Sequence, residues 1–166
     1  MPTSGSIFGF AQKFPIILEE NSSVFNRFTF SKYHSFNENV LGAFKFYAAG
    51  ISAIEDDVRL SKRSVLSSKR LRGFESGRVG PVDANDHVGG NYAASLNFQT
   101  NLPFLFSSFQ SVDLNYFIDA GNVWGVDYSN AVGDSSHIRS STGVGLEWFS
   151  PIGPFTFTLA QPITNI

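Results

Sequence analysis

The segment from Asn91 to Thr100 reads NYAASLNFQT, and its alternation sets the period on which the rest of the chain is built. Tyr92, Ala94, Leu96 and Phe98 are apolar, whereas Asn91, Ala93, Ser95, Asn97 and Gln99 are polar or small. Successive side chains of a strand point to opposite faces, so this is a strand with one apolar and one polar face. The next segment repeats the pattern: Val112, Leu114, Tyr116, Ile118 and Ala120 stand against Ser111, Asp113, Asn115, Phe117 and Asp119. A third, Ile138 to Trp148, sets Val144, Leu146 and Trp148 against Arg139, Ser141, Gly143, Gly145 and Glu147. A fourth sets Phe155, Phe157 and Leu159 against Thr156, Thr158 and Ala160. Upstream, Ser6–Phe14, Val24–Tyr33 and Val40–Ile51 alternate with more noise. The chain therefore predicts an all-β domain of about seven strands and no helix.

Two architectures use such strands. In a soluble β-sandwich the apolar face packs on a second sheet; in a transmembrane antiparallel β-barrel it faces lipid and the polar face lines the lumen. Segments of ~9–11 residues suit a tilted membrane crossing, while soluble strands average ~5–6. The polar faces are rich in Ser, Thr, Asn and Gly and poor in Lys and Glu. Aromatics gather near segment ends, at Phe104, Phe106, Phe109, Trp124, Tyr128, Trp148 and Phe149, as in an interfacial girdle. These three features favour the barrel.

Composition narrows the function. The 166 residues suffice for one domain. Only 16% are charged, against 42% hydrophobic and 18 Phe, a poor match to a water-exposed surface. A net charge of −2 argues against nucleic acid as a partner. With no cysteine, the chain has no disulfide, thiolate metal site or thiol nucleophile. His34, His87 and His137 lack ligand spacing; His87 beside Asp83 and Asp86 reads as a polar turn in preference to a metal site. No G-x-S-x-G or nucleotide-binding glycine pattern occurs in its structural setting. The chain thus carries no enzyme signature, cofactor or metal. No apolar run approaches the ~18 residues of a spanning helix, and the start, MPTSGSIFGF, lacks signal-peptide regions.

The connection between the third and fourth strands, about residues 59–89, is long for a compact domain. It holds six of the twelve cations: Arg59, Lys62, Arg63, Lys69, Arg70 and Arg72. Arg59 to Arg63 read as a solvated loop, with an anionic lipid headgroup as the functional alternative; Lys69 and Arg70 read as ordinary loop cations. Arg72 differs, because Gly73, Phe74, Gly77, Gly80 and Pro81 allow the backbone to turn tightly and leave water. Inside a lumen its guanidinium needs a counter-charge. Alternation points Asp113, Asp119 and Glu147 inward. Of these, Asp119 has Phe117 two residues before it on the same face and Gly121 two after, a cradle for stacking and a bidentate ion pair. The plainer alternative makes Asp119 one of several lumen-facing polar residues.

The ordered blocks LRGF (Leu71–Phe74), VGGN (Val88–Asn91), FIDAGNVW (Phe117–Trp124) and GVGLEWFSPIGPFTFTLAQPI (Gly143–Ile163) resemble the BamA family of outer-membrane protein assembly factors. The opening PTSG (Pro2–Gly5) is similar to the family's Pro-Thr-x-Gly. The resemblance implies a sixteen-stranded barrel preceded by POTRA domains, of which residues 1–166 would be a C-terminal part. The POTRA domains, the first strands and the last, aromatic-ended strand would lie outside it. It implies that the long loop folds into the lumen, with Arg72, Gly73 and Phe74 as the latch and Phe117, Asp119 and Gly121 as its cradle. Where the family often has an inward Glu, Asn97 stands as an uncharged auxiliary partner, and Leu71 replaces the usual Val or Ile. The implied activity is folding and inserting β-barrel proteins in the bacterial outer membrane. The implied partners are unfolded outer-membrane proteins, assembly lipoproteins bound through the POTRA domains, and the bilayer. Related readings are the autotransporter-assembly barrel and the mitochondrial sorting and assembly barrel, the latter in the mitochondrial outer membrane. More distant ones are a passive porin-like channel and a soluble β-sandwich binding module.

Overall fold

A computed structural model describes residues 4–15, 22–54, 57–102, 111–128 and 132–164. In chain order the strands are β1 (Gly5–Lys13), β2 (Ser23–Ser35), β3 (Leu41–Ala53), β4 (Val82–Asp83), β5 (Asp86–His87), β6 (Tyr92–Asn101), β7 (Val112–Trp124), β8 (Arg139–Ser150) and β9 (Gly153–Pro162). Seven of them form one sheet in the order β1-β2-β3-β6-β7-β8-β9, antiparallel at every step. The strands β4 and β5 form a separate ribbon within the long loop. Its turn is made by Ala84 and Asn85, both at positive φ, as a two-residue type I′ hairpin requires. The segment carrying His87 is thus a hairpin.

All seven expected strands are present, with ends displaced by a few residues. The largest displacement is in β7, which runs on to Trp124 where the alternation had ended at Ala120. Gly121 and Asn122, beyond the end of that alternation, continue the ladder opposite Ser95 and Ala94.

Register places the outward residues of neighbouring strands side by side. Phe8 pairs with Phe30, Phe30 with Phe46, and Phe46 with Leu96. The Phe8 and Phe30 rings lie 4.7 Å apart and those of Phe28 and Phe46 5.9 Å apart. Phe8, Phe28 and Leu96 on this face are exposed, as are Phe10 at 69% and Leu159 at 76%, while Phe30 and Phe46 are half-buried among them. An apolar face this continuous marks contact with lipid or a partner, not water. At one end Tyr92 stacks on Trp124 at 6.1 Å, and at the other Trp148 meets Phe155 at 5.8 Å. Over its 13 residues β7 extends about 40 Å at ~3.3 Å per residue. Tilted by ~45° it crosses roughly 28 Å, close to the ~25 Å apolar band of outer-membrane barrels.

The girdle expected from the sequence is corrected at two positions. Tyr128 lies in the connection after β7, against Arg63, and Phe149 lies on the inner face beside Asp113 and Glu147. Phe104, Phe106 and Phe109, like Pro2 and Thr3 of the PTSG block, fall outside the described residues.

The core lies between the inner face and the loop. Leu66, Leu71, Phe74 and Val79 of the loop pack on Tyr47, Ala49, Ala93 and Val123 of the sheet. Phe74, grouped with the latch on sequence grounds, is one of these buried side chains. The loop therefore supplies the apolar partner that a second sheet provides in a sandwich.

Candidate functional site

The inner face gathers three residues at one level. Register sets Asn97 opposite Asp119 and Asp119 opposite Ser141. One step along, Gln99 faces Phe117 and Phe117 faces Gly143. Gly143 makes room for the aromatic ring: a Cβ there would lie 2.7 Å from Phe117 Cζ and would collide with the Leu159 carbonyl of β9. Gly121 does the same for the loop, since its Cβ would meet Leu66 Cδ1 at 3.1 Å.

Arg72 enters this cradle from the loop. Its Nε donates to Asp119 Oδ2 at 2.7 Å and its Nη2 to Oδ1 at 2.7 Å, a bidentate fork matched to the carboxylate. The Arg72 backbone N–H also donates to Oδ2, at 3.1 Å. The guanidinium lies 3.6 Å from the Phe117 ring centroid. Its remaining Nη1 donates to Gln99 Oε1 at 2.9 Å. Ser141 Oγ donates to the Arg72 carbonyl. Asp119 and Phe117 are both fully buried, so the ion pair sits where an unpaired charge costs about 3–5 kcal/mol. Gly73 follows at φ +87°, with a would-be Cβ 3.2 Å from Ala160 Cβ. That conformation turns the chain back after the arginine.

The structure brings together Arg72, Gly73, Phe117 and Asp119, and places Gly121 under the adjoining loop residue Leu66. Asn97 has a different place from the one expected. Its Nδ2 donates to the Arg70 carbonyl at 2.7 Å, while Gln99, one inward position further on β6, serves the guanidinium. Of the three inward acids, Asp113 and Glu147 lie toward the β8–β9 turn, lining a depression of about 340 Å³. Arg70 is not an ordinary loop cation, because its guanidinium stacks 3.6 Å from the Tyr47 ring centroid. Arg63 is not solvated either; its side chain is only 4% exposed. Gln99 and Ser141 were legible as inward residues from strand parity, but nothing in the sequence set the height at which the loop would meet them.

The fold and the sequence have counterparts among known proteins. The Omp85 superfamily domain matches residues 1–166. The outer membrane protein assembly factor BamA of Neorickettsia risticii is 31% identical over 98 residues, covering 57% of this chain and 13% of that protein. BamA of Neisseria meningitidis is 30% identical over 120 residues, covering 56% and 15%. A SAM50-like protein of Schizosaccharomyces pombe is 34% identical over 115 residues, covering 65% and 24%. The crystal structure of BamA from Haemophilus ducreyi lacking POTRA domains 1–3 superposes with a TM-score of 0.86 at 26% identity, over 99% of this chain and 36% of that one. The chain spans less than a quarter of the length of these sequence relatives.

Proposed function

Because this chain belongs to the Omp85 superfamily, we propose that the protein folds and inserts β-barrel proteins into an outer membrane. Similarity to two BamA proteins favours the bacterial outer membrane. The SAM50-like relative supports mitochondrial sorting and assembly as the second reading. The clients on this proposal are unfolded outer-membrane proteins, and assembly lipoproteins would join through POTRA domains. No nucleotide, metal or covalent intermediate is invoked, so the protein is not an enzyme in this reading. An exposed strand edge can template an incoming strand by main-chain pairing, and local bilayer thinning lowers the cost of insertion.

The observation that carries the proposal is the loop seated on the inner face through Arg72, Asp119 and Phe117. A passive channel needs an open path, which a long loop latched and packed across the inner face takes away. A machine that handles clients at its wall needs that wall held in one arrangement, and a buried bidentate pair stacked on an aromatic ring holds β7, β8 and the loop together. The test is client assembly by full-length protein reconstituted in liposomes. Arg72→Glu should lower the rate at which a client barrel becomes protected and heat-modifiable, and Asp119→Arg in the same chain should restore part of it. Unchanged assembly by a folded Arg72→Glu protein would sink the proposal.

A further inference from the structure

The VGGN block (Val88–Asn91) has no part in the Arg72 cradle, yet it lies at the centre of a second set of contacts. Gly90 and Ser64 exchange backbone hydrogen bonds, Ser64 N to Gly90 O at 2.8 Å and Gly90 N to Ser64 O at 3.0 Å. A Cβ at Gly89, where φ is +66°, would lie 2.9 Å from the Ser64 carbonyl. One at Gly90 would lie 2.5 Å from the Trp124 carbonyl. Both glycines are thus needed for the close approach of loop and strand end. Asn91 N donates to Gly125 O at 2.6 Å, and its own carbonyl accepts from Ile51 N at 2.8 Å.

Beside this junction the short 3₁₀ turn Leu60–Lys62 brings Val58 and Arg63 together. Arg63 Nε donates to the Val58 carbonyl at 3.2 Å, and Val58 N donates to Asp127 Oδ2 at 2.9 Å. Arg63 Nη2 lies 3.6 Å from Asp127 Oδ1, closing the ring. The guanidinium stacks 4.6 Å from the Tyr128 centroid, and Tyr128 Oη donates to Asp83 of β4 at 3.1 Å. Burial pushes the Asp127 carboxyl up, but donation from Val58 and Asn91 and the nearby Arg63 outweigh it and hold the carboxyl below its ordinary range.

We propose that Arg63, Asp127 and Tyr128 form a second clasp, at the rim, that positions the outer part of the loop against the connection following β7. The loop then has two anchors of the same chemistry, an arginine with a carboxylate and an aromatic ring, and each holds a different stretch. The inner one fixes residues 70–73. The outer one fixes residues 58–64 and, through Tyr128 and Asp83, the β4–β5 ribbon. Arg63, Asp127 and Tyr128 are positioning residues in this assignment, which rests on reading the loop as a functional element.

Trypsin reads the two anchors separately, because the loop carries cleavable bonds after Lys62 and Arg63 and after Arg70 and Arg72. In full-length protein reconstituted in liposomes, Asp127→Arg should speed cleavage after Lys62 and Arg63 about tenfold, since cutting tracks the open population. Cleavage after Arg70 and Arg72 should stay at the wild-type rate. Asp127→Asn, which keeps the side-chain shape, should give a smaller rise at the same bonds. Combining Arg63→Asp with Asp127→Arg should restore protection after Lys62. Wild-type cleavage after Lys62 in both Asp127 variants overturns the clasp, as does a failure of the charge swap to protect. Client assembly by the same liposomes tests the functional reading independently. A loop opened at the rim with assembly unimpaired counts against the loop's role and leaves the clasp standing.

Discussion

Arg72 and Arg63 stand nine positions apart in one loop and use the same kinds of partner, a carboxylate and an aromatic ring, to different ends. Arg72 meets a carboxylate with no exposure, through two side-chain bonds of 2.7 Å. Arg63 is itself buried but meets a carboxylate that is 28% exposed, at 3.6 Å. Asp119 is built into the middle of a strand, whereas Asp127 lies in the connection beyond the end of β7. When the pairs break, the Asp119 carboxylate has no water to fall back on, although Arg72 is 18% exposed; the Asp127 carboxylate has some. The inner site should therefore dominate stability, and the outer one should set local order.

Breaking the inner pair from either side tests this most severely. Arg72→Ala leaves Asp119 buried without its counter-charge, and Asp119→Ala does the reverse, each costing about 3–5 kcal/mol. Unfolding of the full-length protein in urea, followed by its heat-modifiable mobility, should show the loss. The matched outer variant, Arg63→Ala, should shift the same midpoint much less. Equal shifts would abolish the distinction between the two sites. Gly143→Ala comes next, because it attacks the cradle without touching a charge. Its methyl group would press on the Phe117 ring and the β9 backbone, an overpacking cost of about 1–3 kcal/mol. Loss of loop protection at Arg72 in this variant, with Arg72 and Asp119 intact, would show that the ring's position matters.

The comparison also explains what the sequence could disclose. Strands announce themselves by period two, so seven were legible, and parity alone turned Asp119 and Phe117 toward the lumen. The end of β7 was not, because the alternation breaks there: Asn122 takes the parity of the apolar residues and Val123 that of the polar ones. Gln99 and Asn97 share an inward face, and only the height at which the loop docks decides which one meets the guanidinium. A loop has no period. Arg63 could not be told from Arg59 by any repeating pattern, and its burial depends on a 3₁₀ turn, two glycines and an asparagine that converge only in three dimensions.

Acid should act on the outer site in a known direction. The folded Asp127 carboxyl is held below its ordinary value, so its contribution is present above the unfolded value, about pH 4, and is lost as pH falls through the depressed one. Titration of the isotope-labelled Asp127 carboxyl by NMR in detergent should give a midpoint below the ordinary range. Arg63→Gln should move it upward, and no movement would mean that Arg63 is not a counter-charge.

The smallest effect belongs to the contact lying between the two clasps. Arg70 stacks 3.6 Å from the Tyr47 ring centroid, and its carbonyl accepts from Asn97 Nδ2. Its backbone is therefore held whatever its side chain does, and the guanidinium adds only the cation–π attraction. Such a contact contributes about 0.5–1 kcal/mol where it is partly exposed, so Arg70→Met should lower the urea midpoint slightly and Tyr47→Leu by more, since Tyr47 also belongs to the packed core. A double-mutant cycle separates the pair from the packing. Coupling near zero would make Arg70 a bystander carried in by Arg72. Coupling of the expected size would make the loop's hold continuous, with its middle stretch bound to β3 while its ends are bound at β7 and beyond it.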